Sequence, residues 1–289
     1  MALNSPGSIL RKLMTEDAAL IMIGVYDVLG AKLVEQGGGR TVFVSGFSVV
    51  GSRLGLPDIG LGALDEISAA ARNIIEAVSI PVIVDGDDGY GDVKNVVHTV
   101  HRYERMGAAA IVLEDQRWPK RCGHLAGKAI VPASEIVAKI RAAAGERIEP
   151  STMIVGRTDA RAVEGLDEAL RRADQFLEAG ADALFIEAPQ TVEEMERIGR
   201  AFGHVPLFVN PLPGGKSPIL TPGEYQVLGF SVIGYGITPL FQAVGAMRAG
   251  ITDMLSGRCA LLDDGMSFAD YQRLVGLRGW DALADRYPS

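Results

Sequence analysis

A cysteine and a histidine stand one residue apart, behind a lysine and an arginine, in the stretch EDQRWPKRCGHLAGKAIV at residues 114–131. The stretch opens on two acids, Glu114 and Asp115, that close an apolar run. A thiol flanked by Lys120, Arg121 and His124 sits in a field that favours the thiolate, so residue types alone give Cys122 a lowered pKa suited to moving a proton to or from carbon. The competing reading is a buried cysteine with solvated cations around it.

Other acids and one more cation end apolar runs in the same way: Asp27, Ser45, Asp85 and Asp87, Glu114, Arg157 and Asp159, Glu187 and Asn210. Asp and Asn at such places also cap helices, and Asp27 reads as well as a cap as a functional acid. Acids brought to one place repel unless a cation or shared protons neutralise them. Oxygen ligands without a zinc-type His–Cys cluster favour a hard divalent ion, so Asp85, Asp87 and Glu114 are the expected metal site for Mg²⁺, with Mn²⁺ possible and with water completing the shell. Arg157 would be a fork for a substrate carboxylate or phosphonate, or else the partner of Asp159 in a structural ion pair.

What could position these groups is a repeating pattern. Eight short Val- and Ile-rich runs, at 21–27, 41–47, 81–87, 109–116, 152–159, 183–188, 206–210 and 231–236, alternate with helix-like segments such as DEISAAARNIIEAVS and LDEALRRADQFLEAG. Strand then helix, eight times, predicts an α/β fold of the (β/α)8 TIM-barrel type, whose catalytic groups lie at the C-terminal ends of the strands. No linker divides the chain, so residues 1–289 read as one barrel domain. The helical segment at 239–289 lies beyond the last strand and is expected to pack on a neighbouring subunit.

A formal charge of −8 excludes nucleic acid and anionic membrane as the main partners. A small-molecule carboxylate remains. No apolar run approaches the about 18 residues that span a bilayer, and the N-terminus lacks a signal-like core, so a cytoplasmic setting is expected. In that setting Cys122 and Cys259 would not pair, and Cys259 reads as a packing residue. His98 and His101, on an outer helix, and His204 are assigned no function.

The motifs VDGDDGYG, LEDQ, PKRCGH, GRTDA and LFIEA, in this order and spacing, resemble the isocitrate lyase and phosphoenolpyruvate mutase superfamily over residues 5 to 238 at least. The resemblance implies a homotetramer, a dimer of dimers with a helix exchanged between paired subunits. It also implies Mg²⁺ dependence and chemistry through an enolate of a 2-oxo acid or carboxylate. It makes the KRCGH loop a gate over the substrate. Residue by residue, it gives Ser45 and Gly46 contacts to the 2-oxo acid end, Asp58 a supporting acid, Asp85 and Asp87 the metal, and Glu114 a metal-bound water. Arg157 and His124 become carboxylate contacts, Glu187 an acid facing the substrate, Asn210 an amide donor and Cys122 the acid/base cysteine of the carbon–carbon lyases. Lys120, Arg121 and Gly123 complete the loop's catalytic and binding set.

Cys122 favours a lyase, because phosphonopyruvate-type mutases generally lack it, although the carboxyphosphonoenolpyruvate mutase branch keeps it. Phe43 stands where methylisocitrate lyases usually have Tyr, and Pro213 where they have Glu, which weakens the case for a tricarboxylate. Phe47, in SGFS, resembles the branch of dimethylmalate lyase, oxaloacetate hydrolase and petal death protein, and its ring should shorten the pocket. The expected function is Mg²⁺-dependent cleavage of a carbon–carbon bond in a small 2-hydroxy or 2-oxo dicarboxylate: a 2-alkylmalate, a methylisocitrate-like acid or oxaloacetate. The alternatives are a phosphonomutase or phosphonopyruvate hydrolase, an oxaloacetate decarboxylase, and a non-catalytic barrel.

Overall fold

The computed structural model describes residues 5–16 and 19–287. Of the expected C-terminal segment, residues 288 and 289 lie outside the described residues, as do residues 1–4 of the N-terminal stretch.

Eight strands, β1 (Leu20–Val25), β2 (Val42–Val44), β3 (Val82–Asp85), β4 (Ala110–Glu114), β5 (Met153–Thr158), β6 (Ala183–Ile186), β7 (Leu207–Val209) and β8 (Val232–Tyr235), close into one parallel barrel in sequence order. Each of the eight apolar runs supplies one of them. The closing seam pairs β1 with β8, from Leu20 opposite Val232 to Ile23 opposite Tyr235. Every residue of β3, β4 and β6 is buried, as expected for strands covered on both faces, so their sequences carry unbroken apolar runs rather than alternation.

The helices are α1 (Pro6–Glu16), α2 (Val28–Gln36), α3 (Gly46–Leu54), α4 (Leu64–Ala77), α5 (Val93–Met106), α6 (Ala133–Gly145), α7 (Ala160–Val163), α8 (Leu166–Glu178), α9 (Val192–Phe202), α10 (Pro222–Val227), α11 (Thr238–Leu255), α12 (Phe268–Leu274) and α13 (Leu277–Arg286). Two cores result. One lies between strands and outer helices, with Ile67, Val100, Ile140, Phe176 and Ile198 facing Val84, Ile111, Ile154 and Ile233. The other fills the barrel and its lower end, where Leu10, Leu13 and Met14 of α1 join Leu20, Ile83, Met153, Phe208 and Val232. Helix α1 is fastened there by Arg11, which donates to Asp182 Oδ1 at 2.8 Å just before β6, and by the 2.6 Å contact of Ser5 with Ser151 just before β5. With the N-terminal end plugged, access is left to the C-terminal end, where βα loops carry the polar residues.

Asp27 proves to be a cap: its carboxylate accepts from Gly30 N at the start of α2. Cys259 corrects an expectation. It is exposed, at φ 51° in the turn after α11, and packs in no core of this chain.

The chain divides into two compact units, the barrel through Pro239 and a helical unit from Leu240. In the helical unit Asp253 is buried and accepts from Leu261 N at 3.0 Å, and Leu274 is buried too. Many large apolar side chains there are exposed, among them Phe241, Met247, Ile251, Phe268 and Trp280. Among the described residues, no helix is long and apolar enough to cross a membrane.

Candidate active site

The site begins where strands end. Ser45 follows β2 and caps α3 through its hydroxyl, which accepts from Ser48 N at 3.3 Å. Asp85 ends β3, Glu114 ends β4, Arg157 is the last residue but one of β5, and Glu187 and Asn210 follow β6 and β7. Asp87 and Ala188 take left-handed backbone, at φ 45° and 54°, a conformation that side-chain-bearing residues adopt only where surrounding contacts impose it. At Asp87 that contact is Glu114 N, which donates to its carbonyl at 2.8 Å and joins the ends of β3 and β4.

Over these ends lies the loop from Gln116 to Val131. Its stem is zipped by Arg117 N donating to Ala129 O and Val131 N donating to Asp115 O. Gln116 clamps Arg121 on both sides, donating to its carbonyl at 2.7 Å and accepting from its amide at 2.9 Å. Further along, Cys122 N donates to Asp58 O at 3.1 Å, and His124 Nδ1 accepts from Lys216 N at 3.3 Å. Lys120 drives inward, its ammonium 2.6 Å from Asp58 Oδ1 and 2.8 Å from Asp87 Oδ1.

Between loop and strand ends is a narrow cavity of about 50 Å³, room for a small acid only. Its polar lining is Ser45, Asp58, Asp85, Lys120, Arg121, Cys122, Gly123, His124, Arg157, Glu187 and Asn210. Its hydrocarbon lining includes Met22, Phe43, Phe47, Phe185, Phe208, Leu212 and Ile237. Three of the expected residues, Gly46, Asp87 and Glu114, stand behind the polar lining. Gly46 N is spent on Asp85 Oδ2 at 3.1 Å and so is not open to a ligand, against the contact the resemblance implied. Arg121 is exposed at the rim, held by its backbone.

Arg157 is the hub of the polar lining. Its guanidinium meets Asp159 Oδ2 at 3.0 Å, Glu114 Oε2 at 3.2 Å and Glu187 Oε2 at 3.7 Å, and lies over the Phe185 ring. The two readings of this residue therefore coexist, a structural pair with Asp159 and a fork at the cavity. Burial opposes its charge, but Asp159, Glu114 and Glu187 outweigh that and hold it protonated. Lys120 is held in the same way by Asp87, Glu114, Asp58 and Asp85 against its own burial.

The carboxyls divide. Burial and then the charge of Asp87 push Asp85 up to about 6, and burial raises Glu114 despite Arg157. Glu187 goes the other way: burial is overcome by Arg157 and by His124, whose Nε2 lies 3.2 Å from Oε1, and the group stays ionised. With Nδ1 accepting from Lys216, the hydrogen-bond network assigns the ring proton to Nε2, facing Glu187.

Cys122 corrects the reading from residue types. Its pKa is pushed up to about 11, by burial first and further by Asp58 and Glu187, against the opposing pull of the His124 amide and of the Arg157 charge. The flanking cations do not serve the thiol, because Lys120 is paired with Asp58 and Asp87 and His124 faces Glu187. Cys122 is a thiol with a proton to give.

Asp87 Oδ1 and Glu114 Oε1 are buried and accept no hydrogen bond, the first despite its ion-pair contact with Lys120. Among the described residues no three His, Cys, Asp or Glu side chains gather tightly enough to ligate one ion directly. Oxygen-only donors, few of them direct and two with unused lone pairs, fit magnesium, which keeps several waters.

Residue types did not point to the hydrocarbon lining beyond Phe43 and Phe47. Phe185 and Phe208 are inward-facing strand residues indistinguishable in sequence from core. Nor did they point to Lys128, on the returning limb of the loop, or to the part played by Asp115, both of them buried. Asp115 accepts from Asp159 N at 2.8 Å, Thr158 Oγ1 at 2.7 Å and Arg172 at 3.2 Å, and so orients the end of β5.

A closed parallel barrel with acids, a buried arginine and a thiol at its C-terminal mouth defines an enzyme of small-acid chemistry. Residues 10–255 match the family model of phosphoenolpyruvate phosphomutase, and the chain belongs to the phosphoenolpyruvate mutase/isocitrate lyase superfamily as a carbon–carbon lyase. It is 38% identical over 270 residues to the 2,3-dimethylmalate lyase of Eubacterium barkeri, covering 93% of each chain. Oxaloacetate acetylhydrolase in complex with the inhibitor 3,3-difluorooxalacetate superposes with a TM-score of 0.93 at 30% identity, over 97% of this chain and 96% of that one. Phosphonopyruvate hydrolase in complex with oxalate and Mg²⁺ does so at 0.88 and 30% identity, over 98% and 99%.

Proposed function

We propose that this enzyme cleaves the C2–C3 bond of a small 2-hydroxy or 2-oxo dicarboxylate, a 2-alkylmalate or oxaloacetate, with Mg²⁺ as cofactor. The observation that carries the reading is a protonated Cys122 thiol on the same cavity as Arg157 and an ionised Glu187. Asp85 and Asp87, with Glu114 through water, would hold the ion. When bound, Mg²⁺ supplies Lewis-acid polarisation of the substrate's 2-oxygen.

The chain's own residues supply the rest. Arg157 binds the carboxylate at C1, and Asn210, whose Oδ1 is committed to Gly236 N, offers its Nδ2. Of the acids lining the cavity, Glu187 is the one held below its ordinary range, and it takes the hydroxyl proton of a malate. For a malate the C2–C3 electron pair then leaves with C3 as a carboxylate enediolate while C2 becomes a 2-oxo acid; for oxaloacetate a water must first add to the C2 carbonyl, the resulting gem-diol gives its proton to Glu187, and C2 leaves as oxalate. Cys122 returns a proton to C3. The loop keeps water from that basic intermediate. The hydrocarbon lining receives the substituent at C2 or C3, and nothing on it would pair a third carboxylate. That is why methylisocitrate is not the first choice.

We further propose a cytoplasmic homotetramer in which residues 239–289 pack on a neighbouring subunit. The exposed Phe241, Val244, Met247, Ile251, Phe268 and Trp280 support it, because so much apolar surface is unusual on a monomer.

Proton NMR tests the reaction. With Mg²⁺, the protein is offered oxaloacetate, 2-methylmalate, 2,3-dimethylmalate, 2-methylisocitrate and phosphonopyruvate separately. Pyruvate plus a carboxylic acid from a malate, or acetate without pyruvate from oxaloacetate, the proton-silent oxalate being assayed separately, is the expected outcome. Turnover of phosphonopyruvate alone would instead place the protein among the P–C bond enzymes, and pyruvate plus CO₂ from oxaloacetate would make it a decarboxylase.

A further inference from the structure

The gate loop carries a buried cation that the chemistry above does not use. Lys128 sits five residues past Gly123, on the returning limb of the loop, and its side chain is 1% exposed. Its ammonium bridges two places, donating to the Gly123 carbonyl and to Asp159 Oδ1, the latter at 2.6 Å. Asp159 is itself fully buried at the end of β5 and accepts from Arg157 Nε through its other oxygen at 3.0 Å. One carboxylate thus joins the loop's lysine to the substrate-facing arginine.

Gly123 shows how closely the loop tip rests on that arginine. A Cβ placed on it would lie 2.5 Å from both Arg157 Nη2 and Glu187 Oε1, so only a bare backbone fits. With the tip in this position Lys120 to His124 line the cavity, and lifting the tip would widen the way in. Lifting it separates Lys128 from Asp159, which then has Arg157 as its one remaining cation partner among its hydrogen bonds. Lowering it brings a second positive charge to Asp159 and so loosens that carboxylate's hold on the guanidinium.

We propose that Lys128 is a positioning residue that latches the gate loop to Asp159 and, through it, readies Arg157 for the substrate carboxylate. The proposal rests on the lyase reading for the roles of Cys122 and Arg157, but the latch itself is a property of the loop. Charge-assisted bonds to a buried carboxylate are about twice as strong as neutral ones, which suits a contact that must hold a short loop shut yet break on each cycle.

The test reads the loop directly, by iodoacetamide alkylation of Cys122 in the whole protein at pH 8, followed by peptide mapping, with exposed Cys259 as internal control. In Lys128→Met, alkylation of Cys122 should rise at least about tenfold, because local opening exposes the thiol without global unfolding. Cys259 should not change, and Lys128→Arg should restore most of the protection. In steady state, Lys128→Met should lower kcat far more than it raises KM. Should Lys128→Met not fold, Asp159→Asn breaks the same ion pair and should expose Cys122 likewise. Unchanged protection of Cys122 in Lys128→Met overturns the latch, and so does a rise matched by equal loss of hydrogen-exchange protection in the barrel strands. The two readings fail separately: a thiol exposed by Lys128→Met in a protein that turns over none of the five acids keeps the latch and sinks the lyase. Normal turnover with an unaltered thiol does the reverse.

Discussion

Lys120 holds its ammonium 2.8 Å from Asp87 Oδ1 and thereby ties the loop from Gln116 to Val131 to the acids of the barrel mouth. The same ammonium is 2.6 Å from Asp58, and all three side chains are at most 6% exposed. Removing one partner of a buried pair leaves an uncompensated charge and destabilises by about 3–5 kcal/mol. Lys120→Met should therefore lower the melting temperature sharply in chelator, and millimolar Mg²⁺ should recover part of the loss by supplying positive charge to Asp87. Thermal melts followed by circular dichroism, with and without the ion, decide the matter. An equal loss in both conditions would separate Lys120 from the metal site.

The acids make metal binding depend on pH. The folded, metal-free protein keeps Asp85 protonated up to about pH 6, above its ordinary carboxylate range, and Glu114 is displaced in the same direction. A carboxyl whose folded pKa is raised adds stability below its unfolded pKa and loses that addition as pH rises through the folded value. Mg²⁺ needs the deprotonated forms, so the rise in melting temperature that it produces should be full at pH 8 and nearly gone at pH 5. Asp87→Ala should abolish that rise at every pH. Differential scanning fluorimetry across this range checks both, and activity that persists in chelator would refute the Mg²⁺ assignment.

Cys122 should behave as an acid and not as a nucleophile. With its thiol pushed up to about 11 by burial, its alkylation rate should rise about tenfold per pH unit from pH 7 to 9 without levelling off, where a thiol of ordinary pKa would bend toward a plateau. Cys122→Ser keeps a hydroxyl of similar size but a far weaker acid, and should cost on the order of a hundredfold in kcat, as loss of a positioned acid does. The Mg²⁺-induced shift in melting temperature should survive, because the thiol touches no candidate ligand. Unchanged turnover would remove Cys122 from proton transfer.

How much of this was legible in the sequence follows from what period and residue type can carry. The strands were legible, because β3, β4 and β6 are buried on both faces and so appear as unbroken apolar runs. The polar residues ending them were legible because a barrel places such ends at one mouth. What was not legible is pairing. Lys120, Arg121 and His124 flank Cys122 in sequence, yet Lys120 folds onto Asp58 and Asp87 and His124 onto Glu187, so adjacency predicted the wrong direction for the thiol. Lys128 was passed over for the same reason, since its partner Asp159 arrives from another strand. The hydrocarbon lining was hidden because Phe185 and Phe208 have the spacing of core residues and differ from core only in facing a cavity.

The substrate's size should be set by that lining. Phe47, in the first turn of α3, lines the cavity together with Phe43 and Leu212, alongside the polar groups that would hold a 2-oxo or 2-hydroxy acid end. Replacing its ring by hydrogen in Phe47→Gly should lengthen the space available to the substituent. The selectivity, kcat/KM for 2-methylisocitrate divided by that for 2-methylmalate, should rise at least about tenfold, equivalent to about 1.4 kcal/mol in transition-state discrimination. Phe43→Tyr, which adds a hydroxyl where the lining is bare, should raise the same ratio further in combination, because a third carboxylate would then find a donor. Phe47→Leu keeps most of the bulk and should change the ratio little. A ratio that stays flat across all three variants would mean that the ring does not bound the substrate, and that selectivity is set by the polar lining alone.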